Sequence, residues 1–253
     1  MKKKFKALII DCDGTLMETG GVPTDVVMKA VIKAASLIHV GIATQRTLLH
    51  AHPILLKLKL SGPSIISGGA QVIDSQTLKI LHEELIDNEE LLKAIKVLSD
   101  FKKKNNFKLI IQNNQGKDDI EWTGGVLPKK IITVLAFNFE LKVAEEIENK
   151  ISTISNLSVH KVLSHMEGKF GLSITAALAT KQQGIFKVAK ILGIDTHEII
   201  GIGDGYNDFP LLMACGLKVA MGNAVEDLKA IADYIAPTVS QDGVADVINK
   251  FVL

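Results

Sequence analysis

Ala7-Leu8-Ile9-Ile10-Asp11-Cys12-Asp13-Gly14-Thr15, near the amino terminus, sets four apolar residues directly before an acidic turn. A short uninterrupted apolar run bounded by turn formers reads as a strand buried on both faces, the kind that fills a parallel sheet. A second run of the same design lies near the other end, Glu198 to Ile202, and leads into Gly203-Asp204-Gly205-Tyr206-Asn207-Asp208. In an open parallel sheet the carboxyl ends of the strands form the ligand crevice, so segments remote in sequence meet there. Four carboxylates converging at that edge repel one another and bind protons unless a hard cation sits among them, and Mg²⁺ prefers such oxygen ligands. The two motifs together point to phosphoryl transfer.

Outward from the first strand, the turn-rich Thr19 to Pro23, the apolar-periodic Asp25 to Ala35 and the run Ile38 to Ala43 complete a βαβ unit. A helix is expected from about Thr47 to Lys57, and a short strand at Ile65 and Ile66 between turn formers. The last third repeats the alternation. Lys181 to Leu192 is helical and stops at Gly193, Glu198 to Ile202 is a strand, Asp208 to Ala214 a helix and Leu217 to Met221 a strand. Ala224 to Ala232, Tyr234 to Ala236 and Asp242 to Phe251 follow. The expected fold is α/β, a doubly wound Rossmann-like core with a parallel sheet, built from residues 1–82 and 178–253. Residues 83–177 differ in texture, with amphipathic segments at Asn88 to Lys104 and Val143 to Ile154 and short alternating runs at Lys108 to Gln112, Ile131 to Phe137 and Ser158 to Lys161. They are expected to form an inserted α+β domain, with Gln112 to Gly125 as a surface hairpin or loop.

The acidic residues carry distinct chemical possibilities. Asp11, at a strand end, is a candidate nucleophile, because a carboxylate that forms an aspartyl phosphate divides one hard displacement into two easier ones. Asp13, two residues on, is placed to protonate a leaving alkoxide and then deprotonate water. Gly14 permits the turn and Thr15 ties the loop down through its hydroxyl. Taken alone, the pentapeptide is also what an ordinary acidic turn after a strand looks like. Asp204 and Asp208 offer carboxylates to Mg²⁺ on a glycine-rich loop that leaves positions open, and Asn207 can orient one of them or donate to a phosphoryl group. Helix capping accounts for one of these acids but not for the cluster. Thr44 ends the second strand, where its hydroxyl can donate to the same group. Lys181 opens a helix, an unfavourable place for a cation unless an anion lies nearby.

The rest of the composition narrows the partners. At 253 residues with 47% hydrophobic residues, the chain has material for a substantial core. A formal net charge of +1 gives no global field for nucleic acid, and no apolar stretch is long enough to span a membrane. The basic Met1 to Lys4 is followed by an apolar run too short for a signal peptide, so a cytoplasmic protein is expected. Cys12 and Cys215 give no support for a disulfide, and the seven histidines include no convincing metal-binding pair. Lys102, Lys103 and Lys104 read as a solvated helix end, and Lys129 and Lys130 as a solvated turn.

With these four segments in this order, the chain resembles the haloacid dehalogenase-like superfamily, and within it the Cof-type phosphatases with a large cap inserted after the third core strand. Asp11-Cys12-Asp13-Gly14-Thr15 corresponds to the family's first motif, Thr44 to its second, Lys181 to its third and Gly203 to Asp208 to its fourth. Val219 to Ala224, Ala232-Asp233-Tyr234 and Asp242-Gly243-Val244 resemble the Cof-type carboxyl-terminal pattern. The resemblance implies that Asp11 attacks phosphorus, that Asp13 is general acid then base, and that Thr44 and Lys181 position the phosphoryl oxygens. It implies Mg²⁺ held by the Asp11 and Asp204 carboxylates and the Asp13 backbone carbonyl, with Asp208 as an outer or water-mediated ligand. Gln45 departs from the glycine of many relatives, which bears on substrate identity more than on reaction class.

The function expected is therefore a Mg²⁺-dependent phosphatase acting on a small phosphorylated metabolite through an aspartyl-phosphate intermediate, with a sugar phosphate as the leading substrate by resemblance. A phosphomutase is the near alternative, distinguished by transfer to a sugar acceptor. A phospho-accepting regulatory module is the alternative from another class, distinguished by holding its phosphate instead of turning it over.

Overall fold

The computed structural model describes residues 5–102, 107–115, 119–163, 166 and 168–253. Met1 to Lys4, two lysines of the basic run (Lys103 and Lys104) and residues 116–118 of the polar segment lie outside the described residues. In chain order the elements begin with β1 (Ala7–Ile10), α1 (Asp25–Ala35), β2 (His39–Ile42), α2 (Leu48–Lys57), β3 (Pro63–Ile66), β4 (Gln71–Asp74) and β5 (Ile80–Glu83). Next come α3 (Asn88–Lys102), β6 (Lys108–Asn113), β7 (Asp119–Glu121), β8 (Ile131–Phe139), α4 (Leu141–Ile151), β9 (Leu157–Leu163) and β10 (Phe170–Ala176). The chain closes with α5 (Lys181–Leu192), β11 (Ile199–Gly203), α6 (Phe209–Ala214), β12 (Leu217–Ala220), α7 (Glu226–Ile231), β13 (Tyr234–Ile235) and α8 (Gly243–Phe251). Two compact units result, Met1–His82 with Thr180–Leu253, and Glu83–Ala179.

The first unit is an α/β fold around a five-stranded sheet of order β13-β12-β11-β1-β2, with every neighbouring pair parallel. All four residues of β1 are buried, as a strand covered on both faces requires, which is why its sequence shows no alternation. The strand order brings the ends of the chain together. Ala7 to Ile10 pair with Ile199 to Ile202 on one side and with His39 to Ile42 on the other, so three carboxyl ends lie side by side. β3 meets this sheet through a single parallel bridge, Ala43 to Ile65, and otherwise pairs antiparallel with β4 in a small sheet of order β3-β4-β5. Sequence periodicity locates β3 but not β4 or β5. These are four-residue strands, and the turn between them is set by Asp74, whose Oδ1 accepts from Gln76 N, Thr77 N and Thr77 Oγ1.

α5 carries its sequence signals at both ends. The Thr180 hydroxyl accepts from Gln183 N at 3.2 Å, and Gly193 closes the helix at φ +65. Its first turn is seated against Gly69, where φ is +111 and an added Cβ would stand 2.2 Å from the Thr180 carbonyl carbon. That contact fixes where Lys181 begins.

The second unit is an antiparallel sheet of order β7-β6-β8-β10-β9 with its helices on one face, an α+β arrangement. Leu91, Ala94, Ile95 and Leu98 of α3 and Ala144, Ile147 and Ile151 of α4 close over Leu109, Ile111, Val134, Ala136, Leu172 and Ile174. The registered row Gln112, Thr133, Thr175 lies on the opposite face of β6, β8 and β10. No helix among the described residues is long and apolar enough to cross a membrane.

Candidate active site

Asp11, Thr44 and Asp204 each stand just past the end of a strand, and because β1 lies between β2 and β11 they come from three neighbouring strands. Asp11 N donates to Ile202 O at 2.9 Å and Ala43 N to Ile10 O at 2.9 Å, so the backbone ladder itself sets their positions. Carboxylate oxygens of Asp11, Asp204 and Asp208 all lie within 4.8 Å of one another. Lys181 enters this group from the first turn of α5. Its Nζ donates to Asp11 Oδ1 at 2.5 Å and Asp208 Oδ1 at 2.6 Å, with all three side chains buried. These are the anions that a lysine at a helix start calls for.

Each acid has a different set of partners. Asp208 is saturated: Oδ1 takes Lys181, and Oδ2 accepts from the N–H groups of Asp204 and Gly205 at 2.9 and 3.0 Å, which folds the loop over it. Asp204 Oδ1 accepts from the Thr15 hydroxyl at 2.8 Å. Asp11 Oδ2 and Asp204 Oδ2 have no hydrogen-bond partner among the described residues. Among the described residues the Asp13 carbonyl accepts no backbone hydrogen bond, whereas the carbonyls of Asp11, Cys12 and Gly14 are all taken, the last by Asn223 Nδ2 at 2.8 Å.

Burial pushes the Asp11 carboxyl up to about 7, against the pull of the Lys181 ammonium. Burial also raises Asp204, with the Thr15 hydroxyl opposing and the Asp208 charge adding to it. For Lys181 burial favours the neutral amine, but Asp11 and Asp208 outweigh it and keep the ammonium charged. Burial, then the charge of Asp11, drives the Cys12 thiol well above its usual range, so it is no nucleophile.

Three carboxylates against one ammonium leave net negative charge in a largely buried cluster, and the two uncommitted carboxylate oxygens are hard donors. The donor set fits a small divalent cation such as Mg²⁺. Asp11 and Asp204 each have an oxygen without a hydrogen-bond partner and the Asp13 carbonyl accepts no backbone bond among the described residues, whereas both Asp208 oxygens already accept bonds.

Asp13 stands apart from this cluster. Its carboxylate is gripped by Arg46, whose Nε donates to Oδ2 at 2.8 Å and whose Nη2 donates to Oδ1 at 2.6 Å, and Gly20 N adds a bond of 3.2 Å to Oδ1. Burial opposes ionisation of Asp13, but the Arg46 and Gly20 bonds more than offset it and hold the carboxyl below its ordinary range. Arg46 is the residue that sequence reasoning missed as a contact. Its one signal is its place two residues beyond Thr44 at the same sheet edge.

Thr44 is buried, and its Oγ1 accepts from Arg46 N at 3.1 Å. The Asn207 side chain is exposed on the loop. In the second unit, Trp122 packs on that unit's core and Asn114 Nδ2 donates to Glu83 Oε2 at 2.8 Å. Lys130 lies 3.8 Å from the same carboxylate group.

Gly14 shows how tightly the loop is set. Its φ is +86, and an added Cβ would come within 2.2 Å of Asp204 Oδ2. A Gly14→Ala protein is expected to lose at least about 10-fold in divalent-cation affinity, since disturbing the groups that orient a metal ligand costs about one to two orders of magnitude. Calorimetric Mg²⁺ titration checks this; unchanged affinity would show that Asp204 Oδ2 is not a ligand.

A sequence model of haloacid dehalogenase-like hydrolases matches residues 8–248. A 5-amino-6-(5-phospho-D-ribitylamino)uracil phosphatase of Bacillus subtilis is 29% identical over 253 residues, covering 98% of this chain and 96% of the relative. A phosphoglycolate phosphatase of Methanopyrus kandleri is 28% identical over 250 residues, covering 97% and 96%. Among solved structures, a phosphatase of the haloalkanoate superfamily from Bacteroides thetaiotaomicron superposes with a TM-score of 0.83 at 21% identity, over 98% of this chain and 96% of the other.

Proposed function

The chain belongs to the haloacid dehalogenase-like hydrolase family and is a phosphatase of it, and we propose that it hydrolyses a small phosphorylated metabolite through an aspartyl phosphate on Asp11, with Mg²⁺ as cofactor. The observation that carries this reading is the group that Asp208 and Lys181 form with Asp11 and Asp204, which stand at adjoining strand ends. A sugar or sugar-alcohol phosphate is the leading substrate. The support is the Bacillus subtilis relative, whose named substrate bears a phosphoribityl group.

In the proposed reaction an Asp11 carboxylate oxygen attacks phosphorus while the bond from phosphorus to the leaving oxygen breaks, and Asp13 gives that oxygen its proton. The Asp13 carboxylate then takes a proton from water as the water oxygen attacks phosphorus. The bond from Asp11 to phosphorus breaks, orthophosphate leaves and the carboxylate is restored. Lys181 and Thr44 hold the phosphoryl oxygens, with Asn207 donating from the loop, and Asp208 keeps Lys181 aimed. Asp11, Asp204 and the Asp13 carbonyl would hold the cation, which when bound supplies positive charge to the transferring group. The inserted unit, Glu83–Ala179, serves as a cap that selects substrate. A cytoplasmic setting accords with two buried cysteines outside any disulfide.

Phosphate release from a panel of phosphorylated metabolites, with and without Mg²⁺, tests the reading. Metal-dependent turnover of at least one ester is expected; a protein that becomes stably phosphorylated and releases nothing would be a regulatory module instead.

The pH dependence of cation binding follows from the raised carboxyls. A folded-state pKa above the unfolded value means that the folded protein binds more protons between about 4 and 7, so stability falls as pH rises through that window. Asp13 shifts the other way, but its contribution is complete before the window opens. Mg²⁺ should therefore raise the melting temperature more at pH 8 than at pH 5.5, as differential scanning calorimetry against a chelator control would show. Equal shifts at both pH values would place the cation away from Asp11.

A further inference from the structure

The acid/base candidate of the proposed reaction is occupied in this structure. Arg46 donates to both oxygens of Asp13 and Gly20 N reinforces one of them, so while this grip lasts the carboxyl cannot present a proton to a leaving oxygen. A chemical event must loosen the grip in each turnover.

The geometry around Arg46 suggests what that event is. Its backbone is anchored at both polar atoms, N to Thr44 Oγ1 at 3.1 Å and O from Ser67 N at 2.8 Å, so its base is fixed to the ends of β2 and β3. Its side chain, by contrast, is 22% exposed and that of Asp13 is 32% exposed, within reach of an entering anion. A guanidinium fork that fits two carboxylate oxygens also fits two phosphate oxygens. Both side chains keep part of their surface in water, so a dianion held nearby on Thr44 and Lys181 can reach the fork and compete for it. The Arg46 charge already lies within electrostatic reach of Asp11.

Resting on the phosphatase reading, we propose that Arg46 is a substrate-phosphate ligand whose fork is kept on Asp13 until substrate arrives. The phosphoryl oxygens take over the fork, and the Asp13 carboxyl becomes free to serve the leaving group. Phosphate binding and release of the acid/base residue are then one event, and the free enzyme holds Asp13 out of use until an ester is in place.

The test measures binding of inorganic phosphate to the full chain in Mg²⁺ by calorimetry, for wild type, Asp13→Asn, Arg46→Met and the double variant. Asp13→Asn removes the competitor, so phosphate should bind about 10-fold tighter, within the range usual for coupled sites. Arg46→Met should weaken phosphate by about 10-fold, and in that background Asp13→Asn should change affinity by less than about 3-fold. Arg46→Lys, which keeps the charge but not the fork, should fall between wild type and Arg46→Met, and should raise KM for the best ester more than it lowers kcat.

Equal tightening by Asp13→Asn in both backgrounds would overturn the proposal, because Asp13 would then simply repel phosphate. Unchanged phosphate affinity in Arg46→Met would overturn it too, leaving Arg46 as a strut for the Asp13 loop. A wild type that binds no phosphate and hydrolyses no ester would instead sink the phosphatase reading beneath it.

Discussion

An Asp11→Asn protein loses phosphate release by roughly 10⁴-fold or more, the scale on which enzymes respond to removal of a nucleophile, while keeping its fold. The amide occupies the same space at the end of β1 but cannot form the aspartyl phosphate. Folding is spared for an electrostatic reason: Asp11 is a costly carboxylate to bury, as its pKa of about 7 shows, and Asp208 still pairs with Lys181. The melting temperature without metal should therefore stay level or rise. Rates measured in parallel with circular dichroism check both halves. A folded variant that retains a tenth or more of wild-type turnover would remove Asp11 as nucleophile.

The second large effect concerns stability. Lys181→Met leaves Asp11 and Asp208 buried without their cation, and breaking a buried pair from one side costs about 3–5 kcal/mol. The deficit should depend on pH. Without the ammonium the Asp11 carboxyl rises further above its unfolded value, so the folded variant binds the extra proton over a wider range and loses stability as pH rises through it. Urea unfolding in a chelator should show a small gap between variant and wild type at pH 5.5 and the full gap at pH 8.5. A gap under about 1 kcal/mol at pH 8.5 would mean that the ion pairs of Lys181 are relaxed by water.

The sequence is legible where the physical constraint is local. β1 and β11 are short apolar runs that end in acids, and a parallel sheet forces such ends to one edge, so the α/β class and the meeting of Asp11 with Asp204 follow from pattern alone. Lys181 is legible because a cation at a helix start needs an anion. The grip of Arg46 on Asp13 is not legible, since a long flexible side chain after a strand end is usually solvated and its partner lies 33 residues away. The bond from Thr15 to Asp204 spans 189 residues, and no periodicity reports it. β4 and β5 escape notice for a different reason. β4 comes one residue after Gly68 and Gly69, turn formers that suggest loop, and β5, Ile80–Glu83, shows neither an alternating nor an all-apolar pattern.

The pairing of Ala7 with Ile199 also dictates a timetable. During synthesis the first strand emerges early, yet its neighbour on one side is made only after the whole of Glu83–Ala179, a continuous stretch with its own core. That stretch can fold as it appears, because it carries its own hydrophobic core. The carboxylate cluster has to wait. On the ribosome the inserted unit is finished first and the carboxylate cluster last, so a chain truncated before Asp204 is expected to have a folded insert and an incomplete cluster.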